Sequence, residues 1–336
     1  MDGKKISLTV VAAVMTAVMA ATGVSAAGVP GGGATSDAKA SAQDNTRFES
    51  FLGLDTNFAL LNEYYLFPYA MDGNVNMWSG NLAARYTLPY GNAYSNFIMS
   101  LTYNSQADCD IGLGRNVAMT YWAQLTRADQ DTVKIMGGTG TVRTFTKNPA
   151  TGKFENKEGS VEQLADGSYD AVWSEGRFQF DAAGKVASMQ INQNYIQVYY
   201  NELGYVDSLM GNEQSYYFEY RRCPDGEVRC SKILSNGELF LEYDEKGNLV
   251  AGYNPAEPEQ KAFSFTYGEN GLVTSFKSVD TPTVSIAYQT VDGYQKVSNY
   301  NGTQIVYGKN QTIAIAPDGT VATWRFDDGG NLVGTL

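Results

Sequence analysis

The chain of 336 residues carries 24 Lys and Arg against 36 Asp and Glu, a net charge of −12. That balance argues against nucleic acid and against anionic membrane surfaces, both of which call for basic residues. With no histidine, the chain can build no Ser-His-Asp triad, no Cys-His pair and no His-ligated zinc site, so acid–base chemistry would fall to carboxylates, Lys or Tyr. Abundant Tyr (23) and Gly (35) with only 9 Pro favour strands and turns over helices.

At the N-terminus, Lys4 and Lys5 precede an apolar stretch from Ile6 to Val24, and Val24-Ser25-Ala26 offers a small-residue cleavage site. This predicts an export signal over residues 1–26, with an uncleaved membrane anchor as the alternative. Residues 27–47 are small, polar and aperiodic, as a flexible linker is. A β region is expected over 48–175 and an array of hairpins over 176–336. Asp72-Gly-Asn74-Val-Asn76 begins like a calcium loop, but Met77 and Ala83 stand where Gly and Glu are needed, so it reads as a turn. Gly137-Gly138-Thr-Gly140 lacks the Lys of a phosphate loop and reads as a strand connection. No metal site and no cofactor are expected.

The phrase Tyr243-Asp244-Glu-Lys-Gly247-Asn-Leu249 sits between alternating flanks: Leu239, Leu241, Tyr243 before it and Leu249, Ala251, Tyr253 after it. Alternation on both sides predicts two half-buried strands. A type I turn closed by a G1 bulge suits the connection, with Asp244 bonding the turn backbone and Gly247 supplying positive φ. The same grammar recurs as Phe180…Gly184…Val186, Tyr200…Gly204…Val206, Tyr267…Gly271…Val273 and Phe326…Gly330…Leu332. Degenerate copies stand at Tyr220, Tyr288 and Tyr307, and a further match at Tyr69…Gly73…Val75 falls outside the series. The aromatic positions are spaced by 20, 20, 23, 24, 21, 19 and 19 residues, which is the mark of a repeat architecture. Each repeat is a hairpin that must pair with its neighbours, and its aromatic should join a ladder on one face of a long antiparallel sheet.

Tyr-Asp-x-x-Gly-x-Leu at 243–249 resembles the signature of the RHS/YD-repeat family, which includes bacterial RHS and wall-associated proteins and the teneurins. Gly80-Asn81-Leu82, Tyr103-Asn104-Ser105 and residues 112–125 resemble that family's opening strands, with Arg115 where the family carries Trp. The resemblance covers about residues 70–336. It implies an all-β fold, a long antiparallel sheet of consecutive hairpins, curled or partly spiralled into a hollow but incomplete shell. In the bacterial family such shells enclose a toxin, and in teneurins a related shell serves adhesion. No Asp-Pro-x-Gly self-cleavage core follows here, which suggests a short open variant, a cap for a partner, or a truncated product.

Cys223-Pro-Asp-Gly-Glu-Val-Arg-Cys230 is centred on a turn, so in an exported protein it reads either as a disulfide across a hairpin or as two unpaired thiols. Close acidic pairs at Asp108/Asp110, Asp129/Asp131 and Asp327/Asp328 could serve a glycosidase only if folding set them across a sugar, and they read first as turn residues. Trp78, Trp122, Trp173 and Trp324 read as core, or as glycan contacts if several share an exposed face. The expected function is a non-enzymatic scaffold, secreted or at the cell surface. It would self-associate or bind a protein through its sheet edges. A carbohydrate-binding module, and behind it a carboxylate-dependent glycoside hydrolase, are the alternatives.

Overall fold

The computed structural model describes residues 70–336, apart from 72–73, 90–96, 139, 141, 157, 174–175, 192–193, 213, 280, 329 and 331. The export signal, the linker, Tyr69 and the start of the calcium-like loop lie outside the described residues. Every regular element described is a strand. Two short groups come first: β1 (Ala70–Met71) with β2 (Val75–Asn76), then the sheet of β3 (Ala83–Thr87), β4 (Ser100–Asn104) and β5 (Val117–Met119). From β6 (Gln124–Arg127) to β27 (Leu332–Thr335) the chain forms a single antiparallel meander of 22 strands. Each strand pairs with the next in sequence, as hairpin repeats require.

The meander curls back on itself early. Leu125 N–H donates to the Gly184 carbonyl at 2.7 Å, and Gln124 bridges Lys185, tying β6 to the turn between β12 (Gly176–Phe180) and β13 (Val186–Ile191). No register joins β27 to β6 among the described residues, so the curl stays open.

One face of the sheet is apolar, through alternation such as Phe178/Phe180, Ile196/Val198 and Phe263/Phe265. Where a hollow shell is implied by the family resemblance, the described residues show this face covered instead. Residues 75–89 and 97–125 lie against it, and Tyr103, Phe97, Met99 and Leu101 join the strand side chains in one continuous hydrophobic core. A Leu- or Phe-sized side chain gains about 1.5–3 kcal/mol by full burial. The 51-residue core therefore couples the N-terminal strands firmly to the array.

Candidate functional site

The predicted bulges form. In the hairpin of β18 (Glu238–Tyr243) and β19 (Leu249–Tyr253), Gly247 N–H donates to Asp244 O and Asp244 N–H to Asn248 O, so Gly247 and Asn248 together face Asp244; one step on, Tyr243 faces Leu249 but Glu242 faces Ala251, so Val250 is a second extra residue. The same shift follows Phe180, Tyr200, Tyr220, Tyr267, Tyr288 and Phe326. Tyr307 departs from the pattern, because its hairpin turns tightly through Lys309 and Asn310 and keeps a regular register. Gly247 has φ 77°, and Asp244 Oδ1 accepts the amides of Lys246 and Asn248, both at 2.9 Å. Asp181 and Asn201 repeat this brace in their own turns.

The aromatics do more than pack. Each ladder hydroxyl donates to a backbone carbonyl in the hairpin before it. Tyr200 reaches Val186 (2.9 Å), Tyr220 reaches Val206 (2.7 Å) and Tyr243 reaches Cys230 (2.8 Å). Tyr267 reaches Leu249 (2.9 Å), Tyr288 reaches Val273 (3.0 Å) and Tyr307 reaches Val297 (2.7 Å). In each case the acceptor is the strand residue opposite the preceding aromatic, where the bulge has freed the backbone from the ladder. Phe180 and Phe326, which have no hydroxyl, stand at the two ends of the series and are buried. Burial pushes all six ladder phenols well above their ordinary pKa.

The amides of the same bulge residues turn to the N-terminal segment. Val186 N–H donates to Ala123 O (3.4 Å), Cys230 to Gly112 O (2.7 Å), Val273 to Tyr103 Oη (3.1 Å) and Val297 to Gly80 O (2.9 Å). Beyond them, Thr312 bonds the Met77 carbonyl, and Trp78 packs on Phe326 with ring centroids 5.1 Å apart. The four amide contacts run in reverse: Gly80, Tyr103, Gly112 and Ala123 meet Val297, Val273, Cys230 and Val186, whereas Tyr216 reaches the Phe97 carbonyl outside that order. Cations lie over several of the rings, with Lys185 over Tyr200, Arg229 over Tyr243 and Lys296 over Tyr307. Arg229 also binds Asp110 at 2.6 Å and Asp225 at 2.7 Å, joining segment, turn and ladder in one cluster.

The Cys223–Cys230 disulfide is not formed, and all three cysteines are free thiols. The register gives the reason. A turn centred on Asp225 sets Arg221 against Arg229 and Tyr220 against Cys230, and leaves Cys223 bonded to Glu227. Burial pushes Cys109 and Cys230 up to about 12, and raises Cys223 as well. At neutral pH these thiols are protonated and poor nucleophiles.

The acidic pairs are spent on structure or lie in solvent. Asp110 serves Arg229, Asp129 accepts the Asp131 amide at 2.8 Å, and Asp328 accepts from Asn310 at 2.6 Å. Asp108 is exposed. No group of three or more potential metal ligands occurs among the described residues. All four Trp pack on or within the core.

The aromatics that do face solvent are ones the repeat pattern passes over. On β14 (Asn194–Tyr200), Tyr195, Gln197 and Tyr199 take the parity opposite to Ile196 and Val198. Tyr199 stands across from Ser208, and Ser208 across from Tyr217. The two rings are therefore two strands apart, roughly 10 Å. Both are nearly half exposed, while Ser208 between them is only 3% exposed, so two exposed rings flank a covered hydroxyl. Strand parity was the available signal.

No family model matches the chain, and no curated protein matches it. Among solved structures it is similar to the Tc holotoxin pore of Photorhabdus luminescens, with 13% identity, 75% of this chain and 14% of that one covered, and a TM-score of 0.28. A TcdB2–TccC3–Cdc42 structure gives 10% identity, 73% and 16% coverage, and a TM-score of 0.26. A porin-like protein from Bacteroides uniformis gives 10% identity, 53% and 95% coverage, and a TM-score of 0.18. The chain spans less than a fifth of the first two. Similarity this slight carries no argument about function, which rests on the residues themselves.

Proposed function

We propose that the protein is an exported, non-enzymatic scaffold of the RHS/YD-repeat type, working at the cell envelope or outside it as a shell segment or adhesion surface. A place in an RHS-type toxin-delivery system fits this role. The observation that carries the reading is the hydroxyl ladder. The tyrosines that define the repeat pack half-buried against the core and are engaged in joining one hairpin to the next, and the turn carboxylates brace backbone. Such residues serve a framework, and the chemistry of a hydrolase has no comparable support. Fractionation tests the reading, using an antiserum against residues 176–336 and a glycoside-hydrolysis assay on the purified protein. The expected result is a band in the medium or envelope slightly below the 36.6 kDa precursor, without turnover. Retention of the whole precursor in the cytoplasm would overturn export. Turnover abolished by Asp129→Asn or Asp328→Asn would overturn the scaffold.

A second reading, carbohydrate binding, is favoured by Tyr199 and Tyr217 flanking Ser208. Flat, partly polar rings suit sugar faces. Glycan-array binding lost in Tyr199→Ala and Tyr217→Ala would support it, and a silent array at high protein concentration would remove it.

A further inference from the structure

The repeat aromatics face the core, but the outer face of β14, β15 (Val206–Met210) and β16 (Ser215–Arg222) has aromatics of its own. On β14, Tyr195 and Tyr199 take the same exposed parity four residues apart, roughly 13 Å along a strand. Tyr217 stands two strands from Tyr199, roughly 10 Å away. The three rings are 42%, 46% and 47% exposed, and they form an L with Tyr199 at its corner. What lies between and beside them is polar. Gln197 sits between Tyr195 and Tyr199, Gln190 faces Tyr195 from β13, and Ser208 separates Tyr199 from Tyr217. Two of the rings are tethered: Tyr199 Oη donates to Gln197 Oε1 at 2.9 Å, and Tyr217 Oη lies 3.9 Å from the Met210 sulfur. The first bond spends the oxygen of the Gln197 amide, so a ligand would meet its nitrogen donor.

We infer that this L is a platform for an uncharged polysaccharide, bound along its chain. This rests on the carbohydrate-binding reading, to which it adds a ligand class and a third ring, Tyr195. Three features select the occupant. Each gap between rings is too wide for one sugar to touch both, so a ligand gains from a second ring only when it is several sugars long, and the gain then compounds as in any multivalent contact. The exposed amides of Gln190 and Gln197 suit sugar hydroxyls, whereas a protein partner calls for a contiguous, desolvated cluster of anchors. Asp207, exposed at the bulge beside Ser208, and a net charge of −12 on the chain both disfavour a polyanion.

Native gel electrophoresis of the full chain through hydroxyethylcellulose, xylan, galactomannan and dextran tests this, with polygalacturonate as the charged control. The expected result is retardation by at least one of the four and none by polygalacturonate, with that polymer's oligosaccharides competing better as they lengthen. The Kd should rise about tenfold in Tyr199→Ala and about threefold in Tyr195→Ala or Tyr217→Ala, because only Tyr199 belongs to both arms of the L. Circular dichroism should stay unchanged, and Tyr199→Trp should keep the retardation. Retardation by none of the four overturns the inference, and an oligomer split by Tyr199→Ala would then assign the face to a second copy. Retardation indifferent to all three alanine variants also overturns it, as does competition by a single sugar as strong as by a long oligosaccharide. In those two cases the carbohydrate-binding reading survives without the platform, whereas a silent glycan array together with no retardation removes both.

Discussion

Tyr243→Phe removes one oxygen and leaves the ring, so it isolates the hydroxyl's contribution to the ladder. The carbonyl it serves, on Cys230, sits where the bulge has interrupted pairing, and the register with β18 begins only at Lys232. Cys230 is fully buried, so water does not readily replace the lost donor. A hydrogen bond returns about 1 kcal/mol net, and a buried acceptor left unpaired costs about 1–3 kcal/mol. The expected loss is therefore about 1–3 kcal/mol. Tyr199→Phe is the control, because its hydroxyl bonds Gln197 at 2.9 Å on the exposed face, and such surface changes stay within about 0.5 kcal/mol. Tyr200→Phe and Tyr288→Phe are far apart and should add. Tyr267→Phe and Tyr288→Phe should not, since Tyr103 contacts both. Urea unfolding gives the totals, and native-state hydrogen exchange around Cys230 and Lys232 gives the local effect, which matters because repeat arrays can unfold in parts. If Tyr243→Phe costs no more than Tyr199→Phe, the hydroxyls are incidental and the ladder is only packing.

Alkali should unfold the protein. Burial raises the ladder phenols, so the folded state keeps protons that the unfolded chain loses near pH 10; stability is full below that pH and falls above it, by roughly 1 kcal/mol per ladder tyrosine one pH unit higher. Tyrosinate absorbance and circular dichroism should then change together, and tyrosinate forming in a folded ladder would contradict this. Gly184→Ala should lower stability far more than Gly271→Ala: both have positive φ, near 80° and 76°, but an added Cβ at 184 collides with the Leu125 carbonyl while nothing lies within 4 Å at 271. Equal thermal shifts for the two would refute the close approach of β6. Arg229→Met should cost about 3 kcal/mol or more by leaving Asp225 unpaired, and Asp110→Asn clearly less, because Asp110 is 40% exposed; denaturant midpoints decide the order. Reducing agent should leave the melting temperature unchanged, since all three cysteines are free, and a marked drop would mean that a disulfide forms.

The hairpins were legible because their signals are local. Tyr243, Asp244 and Gly247 state a turn, a bulge and a brace within five residues, and the copies state it again. What the tyrosine hydroxyls bond was not legible. Alternation tells which face a side chain takes, but the acceptor belongs to the hairpin before, and only the bulge makes it available. The contacts of the N-terminal segment were hidden for a similar reason, because Gly80 meets Val297 and Tyr103 meets Val273 across long stretches of chain. The cysteine pairing failed on one fact of register. Symmetry about Asp225 places Cys223 opposite Glu227, and the sequence offered that symmetry as readily as the pairing with Cys230.

The bulge links these observations into one argument about assembly. A G1 bulge lets each hairpin turn tightly, and beside the register shift that follows it one residue per repeat has both backbone groups outside the ladder. In a buried strand that is costly unless partners exist. The carbonyl is met by the next repeat, so neighbouring hairpins depend on one another in order. The amide, at Val186, Cys230, Val273 and Val297, is met from the N-terminal segment, so hairpins distant in sequence depend on a common strap. An array held only by nearest neighbours could open from either end. One whose bulges are also bonded to a single reverse-running segment should open less readily, because fraying at one hairpin is resisted by a tie anchored at others. The aromatic-to-glycine spacing then has a double purpose. It shapes the turn, and it presents at regular intervals the backbone groups on which the whole sheet is fastened.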